Sequence, residues 1–247
     1  LVFYLGILAT LRRMRSNTPT VLHVHGDWSD FFFSKVLARL LGVKLVAASV
    51  HDILRKSKSI LYRWSLSHCH LIFTTGKEEQ CFLQKLLDRT VYHLPSAPLD
   101  HFFDFPVRAV SRSCDVISVG NFFPKKRHDL ILECARNRPH LCFSVYGDGP
   151  ELEGIVARSQ AQHIRNIKFL GRRPATVIKH ACHSAKMFLL TSEAEGTPTA
   201  VLEAMATGLP VVLTPSNNYN WLVQSGVNGF LTKTWEIDEI LSYIDIV

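Results

Sequence analysis

The sequence has no C-x-x-C pair, no long apolar run and no recognisable nucleic-acid-binding module. Several of its six cysteines lie inside apolar runs, which predicts buried reduced thiols and favours a cytosolic protein. Residues 1–10 are apolar, but they are too few to cross a bilayer, and no small-residue cleavage site follows them. We therefore expect neither a membrane span nor a signal peptide, and interpret residues 1–10 as a helix packed on a domain.

Histidine pairs are present, but they lack the further ligands that a metal site needs. His23 and His25, like His68 and His70, are spaced two residues apart, so that each pair is predicted to share one face of a strand. No third ligand with suitable spacing accompanies either pair. We interpret these histidines as packed or hydrogen-bonded residues rather than metal ligands.

Positive charge is concentrated in the first part of the chain. The formal net charge is +7; residues up to Arg108 contain 14 lysines and arginines against 8 acidic residues, and the remainder contains 14 against 13. A solvated basic face would account for this, as would attraction to an anionic membrane or to nucleic acid. Residues 55–64 mix cationic, aromatic and apolar side chains as an interfacial helix does, although the segment could equally pack inward. Without a nucleic-acid module, the membrane surface is the favoured partner of the two.

The first half of the chain alternates predicted strands with predicted helices, which indicates a parallel sheet covered by helices. With 247 residues and 47% hydrophobic content, the chain can bury a sizeable core. Ligands of parallel sheets bind at the carboxyl ends of strands, where His25 and His51 fall. A lone histidine after a strand is more often a hydrogen-bonded loop residue than a ligand contact. The predicted strands span residues 21–25, 44–50, 71–75 and 91–94, and the first two helices span about residues 29–41 and 57–67.

The second half is organised around one strand, loop, helix and strand unit in residues 187–214. An apolar strand over residues 187–190 leads into a loop, and the helix that follows can be capped by Thr197 or Thr199. Pro198 is predicted in the first turn of the helix, where its missing N–H costs no hydrogen bond. Gly208 suits the left-handed position after the last turn. The predicted buried stripe of this helix consists of Leu202, Met205 and Ala206.

The start of this helix has the chemistry of an anion site, because free N–H groups and the positive end of the helix dipole meet there. Glu195 lies in the loop, and Glu203 lies eight residues later in the helix. Carboxylates beside a bound phosphate are suited to accept hydrogen bonds from sugar hydroxyls on either side of it. Two solvated glutamates on an ordinary helix are the alternative that the spacing leaves open.

Several motifs share one family resemblance. The run EGTPTAVLEAMATGLPVV at residues 195–212 resembles the E-x7-E signature of the retaining nucleotide-sugar glycosyltransferases of family four, with both glutamates in register. Further landmarks of that family are matched by the basic loop at 118–126, the G-D-G-P turn at 145–150, residues 169–171, and the ending at 225–231. In the first half, residues 47–52 and 94–103 resemble its t-v-H-[GD] and v-I-P-N-G-V-D-x-x-x-F segments.

The resemblance implies an α/β protein of the GT-B fold, with two Rossmann-like, doubly wound parallel-sheet domains facing across a cleft. It assigns residues 1–108 to an N-terminal, acceptor-side domain and residues 109–247 to a C-terminal, donor-binding domain, with the boundary near residues 106–112. No segment matches the family's N-terminal Gly-rich loop, and the chain stops before its long C-terminal helices. We therefore expect an incomplete first domain and interpret the chain as a fragment.

The resemblance also implies transfer of a sugar from a nucleoside-diphosphate-sugar to an acceptor hydroxyl, with retention of configuration. Glu195 and His51 would contact the transferred sugar as the catalytic residues, Glu203 would hold the ribose, and Lys126 would bind the diphosphate. No Asp-x-Asp pair precedes this site, so neither a metal nor another cofactor is expected. The complete predicted donor site comprises Gly120, Asn121, Lys126, Gly171, Arg172, Gly196, Thr197, Pro198, Thr199, Ala200 and Glu203, of which Gly171 and Arg172 border the nucleobase.

Asn121 departs from the family pattern, in which many members have an arginine that pairs with the diphosphate. Asparagine lacks the charge and the bidentate fork, for which Lys125 or Arg127 could compensate. This departure favours a catalytically inactive nucleotide-sugar-binding module as an alternative to a transferase. A GT-B nucleotide-sugar epimerase or a phosphorylase is a further alternative, because both use the same two-domain architecture.

The expected partners follow from the resemblance and the charge. They are the nucleotide-sugar donor and a saccharide or lipid-linked acceptor, as in the synthesis of a cell-surface polysaccharide or lipopolysaccharide, and they include no nucleic acid. The expected location is cytoplasmic, with peripheral contact at the anionic inner face of the plasma membrane.

Overall fold

The computed structural model of the protein describes residues 21–26, 28–50, 59–104, 113–195, 197–216 and 219–247. Its contacts separate two compact units, Leu1–Pro95 and Ser96–Val247. The domain boundary predicted near residues 106–112 and the helix predicted for residues 1–10 lie outside the described residues, so both stay predictions. The same holds for the position of His51.

The first unit contains a four-stranded parallel sheet, as the alternating pattern predicts. Strand β2 is apolar and buried along nearly its whole length, because it is an interior strand with a neighbour on each side. The strands β1 (Val21–His25), β2 (Leu45–Val50), β3 (Leu71–Thr74) and β4 (Tyr92–His93) lie in that order. The helices are α1 (Trp28–Leu41), α2 (Ile60–Ser67) and α3 (Lys77–Leu87).

The second unit contains a six-stranded, fully parallel sheet. Its strands are β5 (Cys114–Val119), β6 (Phe143–Tyr146), β7 (Ile167–Phe169), β8 (Ala185–Leu190), β9 (Val211–Leu213) and β10 (Gly229–Leu231). Its α-helices are α4 (His128–Asn137), α5 (Leu152–Ala161), α6 (Ala175–His183), α7 (Thr199–Ala206) and α8 (Ile237–Ile244). Short 3-10 helices span Asp100–Phe103 and Pro124–Lys126.

The strand order β10-β9-β8-β5-β6-β7 creates a switch point between β5 and β8. From β5 the chain steps outward to β6 and β7. After α6 it returns to β8 on the other side of β5 and then steps outward to β9 and β10. The connections that leave β5 and β8 therefore run in opposite directions, which opens a crevice at the carboxyl ends of these strands. Parallel α/β sheets bind their ligands in this crevice.

The second sheet is buried on both faces. Val116 lies in a core with Phe143 and Ile240, whereas the next residue, Ile117, lies in the core on the opposite side with Phe188. Strands covered on both faces need near-continuous apolar sequences, which β5 and β8 have. Phe102 is fully buried in the second of these cores, which explains why the segment after Pro95 belongs to the second unit.

Helix α7 forms where it was predicted, but its start and its buried face differ from the prediction. The cap position is Pro198, which makes no side-chain capping bond, so the prediction of a threonine cap with Pro198 inside the first turn is wrong. The fully buried residues are Val201 and Ala204, whereas the predicted stripe is only partly buried. Each residue rotates a helix by about 100°, so the face turned to the sheet depends on how the helix packs. Gly208 takes the predicted left-handed conformation, with φ 76°.

The second histidine pair does not share a strand face. His68 is the C-cap residue that follows α2, and His70 precedes β3. The His70 Nδ1 accepts a hydrogen bond from the Val46 N–H at 3.1 Å. The His23 Nε2 lies 2.7 Å from the Ser49 hydroxyl oxygen. Burial lowers the pKa of His23, and the charge of the neighbouring His25 lowers it further. Within the described ranges, no group of three or more histidine, cysteine or acidic side chains could hold a metal ion.

The cysteines are all free thiols. Cys69, Cys134 and Cys182 are buried as predicted, whereas Cys81 is exposed. Among the helices that the structure describes, none has the length and apolar character needed to span a bilayer.

Candidate functional site

An ion pair occupies the switch point of the second sheet. Lys126 ends the 3-10 helix that follows β5, and Glu195 lies in the loop that follows β8. The Lys126 Nζ contacts Glu195 Oε1, and the two side chains are only 17% and 11% exposed. Two residues that are 69 positions apart in the sequence are therefore brought together where a parallel sheet binds its ligand.

Hydrogen bonds tie the loop after β5 to the loop after β8. The Thr191 hydroxyl lies 2.9 Å from the carbonyl oxygens of both Lys126 and Arg127. The Glu193 N–H donates to the Lys125 carbonyl at 2.8 Å. The Arg127 guanidinium adds an ion pair to Glu193 at 3.1 Å. Because Thr191 is fully buried, the backbone that carries Lys126 is held in a fixed position. The sequence analysis did not identify Thr191, since a threonine after a strand carries no distinctive signal.

The G-D-G-P turn packs closely against the basic loop. Gly147 and Gly149 have φ values of 141° and 152°, a region that side chains rarely adopt. A Cβ atom on Gly147 would lie 1.9 Å from the Gly120 carbonyl oxygen, and one on Gly149 would lie 2.7 Å from the Phe122 carbonyl oxygen. The Gly147 N–H in turn donates to the Gly171 carbonyl at 3.0 Å. The loops after β5, β6 and β7 thus lie in contact, which brings Gly120 and Gly171 to the same edge.

A buried aromatic stack anchors the other end of the basic loop. The His128 ring lies parallel to Phe122, with the ring centroids 3.8 Å apart and an angle of 10° between the planes. His128 is 3% exposed, and its Nδ1 has no hydrogen-bond partner among the described residues. Burial and, to a smaller extent, the charge of Lys126 lower the pKa of His128 to about 4. The imidazole is therefore neutral at physiological pH and acts as part of the core.

The start of α7 offers backbone donors beside this ion pair. The N–H groups of Thr199 and Ala200 have no partner within the helix, because helical N–H groups bond to carbonyls earlier in the helix and these two residues begin it. The next two N–H groups, of Val201 and Leu202, both donate to the Pro198 carbonyl. Free donors and the helix dipole together make this end of α7 suitable for an anion. Gly196 lies outside the described residues.

Glu203 presents a carboxylate without a cation. It lies in α7 and is partly buried, and its carboxylate makes neither a hydrogen bond nor an ion pair with any residue that the structure describes. Burial raises the pKa of this carboxyl group. Burial, with a further contribution from the Glu203 charge, also raises the pKa of the Cys182 thiol to about 12. A partly buried carboxylate without a protein partner is suited to accept hydrogen bonds from ligand hydroxyls.

The structure favours Lys125 over Arg127 as the residue that could compensate for Asn121. Asn121 is exposed, and Arg127 is held by Asp129 at 3.0 Å and by Glu193, so its guanidinium is already engaged. The proposal that Arg127 compensates would require these ion pairs to break. Lys125 is exposed next to Lys126. It remains available to a bound anion.

The fold and the switch-point site define a protein of the GT-B class. The crystal structure of Anabaena HepE in complex with UDP resembles this chain with a TM-score of 0.79 at 18% identity, over 98% of this chain and 71% of that one. The family model of the glycosyl transferases group 1 matches residues 103–247, which is more than half of the chain. The chain therefore belongs to the glycosyl transferases group 1 family.

Curated relatives of this chain are named for the synthesis of cell-surface saccharides. The UDP-Gal:alpha-D-GlcNAc-diphosphoundecaprenol alpha-1,3-galactosyltransferase of Escherichia coli is 25% identical over 269 residues, covering 96% of this chain and 68% of that protein. The lipopolysaccharide core biosynthesis glycosyltransferase LpsE of Rhizobium meliloti is 26% identical over 136 residues, covering 55% of this chain. The chain spans only 37% of the length of LpsE.

Proposed function

We propose that this protein transfers a sugar from a nucleoside-diphosphate-sugar to an acceptor hydroxyl with retention of configuration, in the synthesis of a cell-surface polysaccharide or lipopolysaccharide. The observation that carries the proposal is the ion pair of Lys126 with Glu195 at the switch point, beside the free N–H groups of α7. Membership of the group 1 family and the relatives named for saccharide synthesis support it.

Different groups of the site bind three parts of the donor, namely the diphosphate, the ribose and the transferred sugar. Lys126 and the first N–H groups of α7 bind the diphosphate and stabilise the negative charge that develops as the sugar leaves. The carboxylate of Glu203 accepts hydrogen bonds from the ribose hydroxyls. Glu195 holds hydroxyls of the transferred sugar, and His51, by family resemblance, contacts the same sugar. Because the lysine and the helix supply the positive charge, we propose no metal or other cofactor.

Donor binding requires an exchange of partners at Lys126. In the structure the ammonium group is paired with Glu195. A diphosphate carries more negative charge than one carboxylate and offers several acceptor oxygens, so it competes successfully for the ammonium group. The exchange frees the Glu195 carboxylate to receive the sugar hydroxyls.

A thermal-shift measurement with UDP, GDP, ADP and CMP tests the donor site. One of the diphosphates should raise the unfolding midpoint, since a ligand at 100 times its dissociation constant stabilises a protein by about 2.7 kcal/mol. Glu203→Ala should weaken binding of that diphosphate about 10- to 100-fold, because a charged acceptor for the ribose hydroxyls is lost.

Glu153→Ala is the matched control, because Glu153 is an exposed glutamate in the first turn of α5 and is not part of the proposed donor site. It should leave the shift unchanged. A well-folded protein that responds to none of the four nucleotides would contradict the proposed donor site.

The exposed Asn121 favours a second candidate, a module that binds nucleotide-sugars without transferring the sugar. The two candidates differ in chemistry rather than in binding. A transferase releases the nucleoside diphosphate slowly from the donor even without an acceptor, because water replaces the acceptor hydroxyl. Binding without any such release would favour the inactive module.

We also propose that the first unit contacts an anionic membrane through α1 and α2. Ile60, Leu61 and Trp64 on α2 are 73%, 55% and 48% exposed, and the Trp64 ring stacks on Phe32 of α1 with centroids 5.5 Å apart. Arg63 lies within this apolar group, so charge and apolar surface occur together. Such a combination is typical of segments that lie in a lipid interface. A lipid-linked acceptor would be reached from this position.

Cosedimentation with phosphatidylglycerol vesicles tests the membrane contact. Binding should be strong at low salt and fall as salt screens the charges, and phosphatidylcholine vesicles should bind little. Trp64→Ser should weaken binding about tenfold, because a half-exposed aromatic ring no longer enters the interface. Trp235→Ser changes a similarly exposed tryptophan of the second unit and should have no effect. Equal losses in both variants would argue against this surface.

A further inference from the structure

A groove lies on one face of the second sheet, between strands β6 and β7 and helix α6. Its volume of about 470 Å³ falls within the range of roughly 300 to 1000 Å³ that is usual for small-molecule sites. The groove extends to Ser113, Cys142 and Ser184, which immediately precede β5, β6 and β8. It therefore reaches the amino ends of the strands, whereas the residues of the candidate donor site follow the carboxyl ends.

The floor of the groove is polar, although the same face of the sheet is apolar elsewhere. Cross-strand neighbours in one row are Phe188 of β8, Ile117 of β5, Ser144 of β6 and Lys168 of β7. The first two side chains are buried in the core, Ser144 is partly buried and Lys168 is exposed. The row therefore changes from core to polar surface between β5 and β6. A polar ligand suits such a floor better than an apolar helix does.

Three polar side chains that line the groove are available to a ligand. They are the Tyr146 hydroxyl, the Lys168 ammonium group and the His180 ring, and none forms a hydrogen bond or an ion pair with a residue that the structure describes. Burial is the main cause of a raised Tyr146 pKa, so this hydroxyl stays protonated and can donate at physiological pH. The Ser144 Oγ accepts from the Cys114 Sγ at 3.3 Å, which leaves its own proton free to be donated.

Positive charge around the groove is not balanced by acidic side chains. Residues 154–192, which include β7 and α6, contain seven lysines and arginines and no aspartate or glutamate. None of the described residues that line the groove is acidic. Asp115, next to Cys114 in β5, is already paired with Lys186 at 2.8 Å and accepts the Cys142 N–H at 2.7 Å. A concave surface of one charge sign attracts ligands of the opposite sign, so the groove favours an anion.

We propose that this groove binds a sugar phosphate, at a second site apart from the donor site. The Lys168 ammonium group and the His180 ring receive the phosphate, and the hydroxyls of Tyr146 and Ser144 bond to the sugar hydroxyls. Leu170, which also lines the groove, provides apolar surface for the C–H groups of the sugar ring. A sugar phosphate combines an anion with hydroxyl groups and so uses both features of the groove. Its binding requires neither the donor nor transfer of a sugar.

Titration calorimetry with glucose 6-phosphate, glucose and inorganic phosphate tests this site. Glucose 6-phosphate should bind about tenfold more tightly than either of the other two probes, because each of them lacks one set of contacts. Lys168→Met should weaken its binding about tenfold, the effect of losing one charge-assisted hydrogen bond. Tyr146→Phe should weaken it about fivefold, because one uncharged donor is lost.

Two further lysine variants are the controls. Lys233 is an exposed lysine of the second unit that does not line the groove, so Lys233→Met should leave the affinity for glucose 6-phosphate unchanged. Lys126→Met changes the donor site and should also leave it unchanged. If Lys126→Met removes binding and Lys168→Met does not, the sugar phosphate occupies the donor site, which overturns this inference and leaves the proposed function standing.

Alkylation of the cysteines by iodoacetamide, followed by mass spectrometry, locates the bound probe. Cys142 lines the groove, so glucose 6-phosphate should slow its alkylation. Cys81 is an exposed thiol of the first unit and should react at the same rate with and without the probe. Absence of glucose 6-phosphate binding at millimolar concentration overturns the inference. Binding that neither protects Cys142 nor depends on Lys168 overturns it as well.

Discussion

Replacing Lys126 with methionine is expected to slow sugar transfer about 100- to 1000-fold, the usual effect of losing one donor that stabilises developing charge. Methionine keeps an unbranched stem in the same position but has no ammonium group for the diphosphate. The change also removes the cation that contacts Glu195, whose side chain is only 11% exposed. Steady-state release of the nucleoside diphosphate from the preferred donor measures the loss.

Lys125 provides a control one residue away. Its side chain is exposed, whereas the Lys126 side chain is 17% exposed and paired. Lys125→Met should therefore lower the rate only slightly, by weakening long-range attraction of the anionic donor. If the two methionine variants lose activity equally, the ion pair at the switch point has no special role. Normal turnover in Lys126→Met would contradict the proposed mechanism directly.

The second large effect is a loss of stability at acid pH, caused by the buried His128. His128 is buried and its pKa is lowered to about 4, whereas an unfolded histidine titrates near pH 6.5. As the pH falls through 6.5, the unfolded chain takes up a proton that the folded chain does not, so the free energy of unfolding decreases. The loss is complete below pH 4 and amounts to roughly 3 kcal/mol, at about 1.4 kcal/mol per pH unit between the two pKa values.

His128→Phe should remove this acid sensitivity and keep the stack on Phe122. Urea unfolding at pH 7 and at pH 4.5 compares the variant with the unsubstituted protein, and the difference between the two pH values should shrink by on the order of 2 kcal/mol. His140→Gln, which changes an exposed histidine of the same unit, should leave the difference unchanged. An undiminished acid loss in His128→Phe would mean that other groups destabilise the protein at low pH.

Much of the architecture could be predicted because it depends on local patterns. The alternation of apolar runs with amphipathic segments predicts the parallel sheets, and the strands of the first unit begin and end within one or two residues of their predicted positions. Gly208 was assigned correctly because a left-handed residue after a helix is a local requirement. Family motifs also selected Lys126 and Glu195, which the structure places in contact.

The rest could not be predicted because it depends on which distant segments meet. The rotation of α7, and with it the burial of Val201 and Ala204, is set by packing against the sheet rather than by the sequence of the helix alone. The engagement of Arg127 by Glu193 and the support from Thr191 arise only when the loops after β5 and β8 come together. The burial of His128 likewise becomes visible only when its partner Phe122 is placed.

The Lys126–Glu195 ion pair has a consequence for turnover. Under the proposed function, the released nucleoside diphosphate keeps the contacts with Lys126 and the α7 N–H groups, and it loses only those made through the sugar. Product and fresh donor therefore compete for the same cation, so we expect inhibition by the accumulating product. The ion pair of Glu195 with Lys126 can re-form only after the product has left the ammonium group. Under the proposed function, this ion pair is therefore broken and formed again once in every turnover.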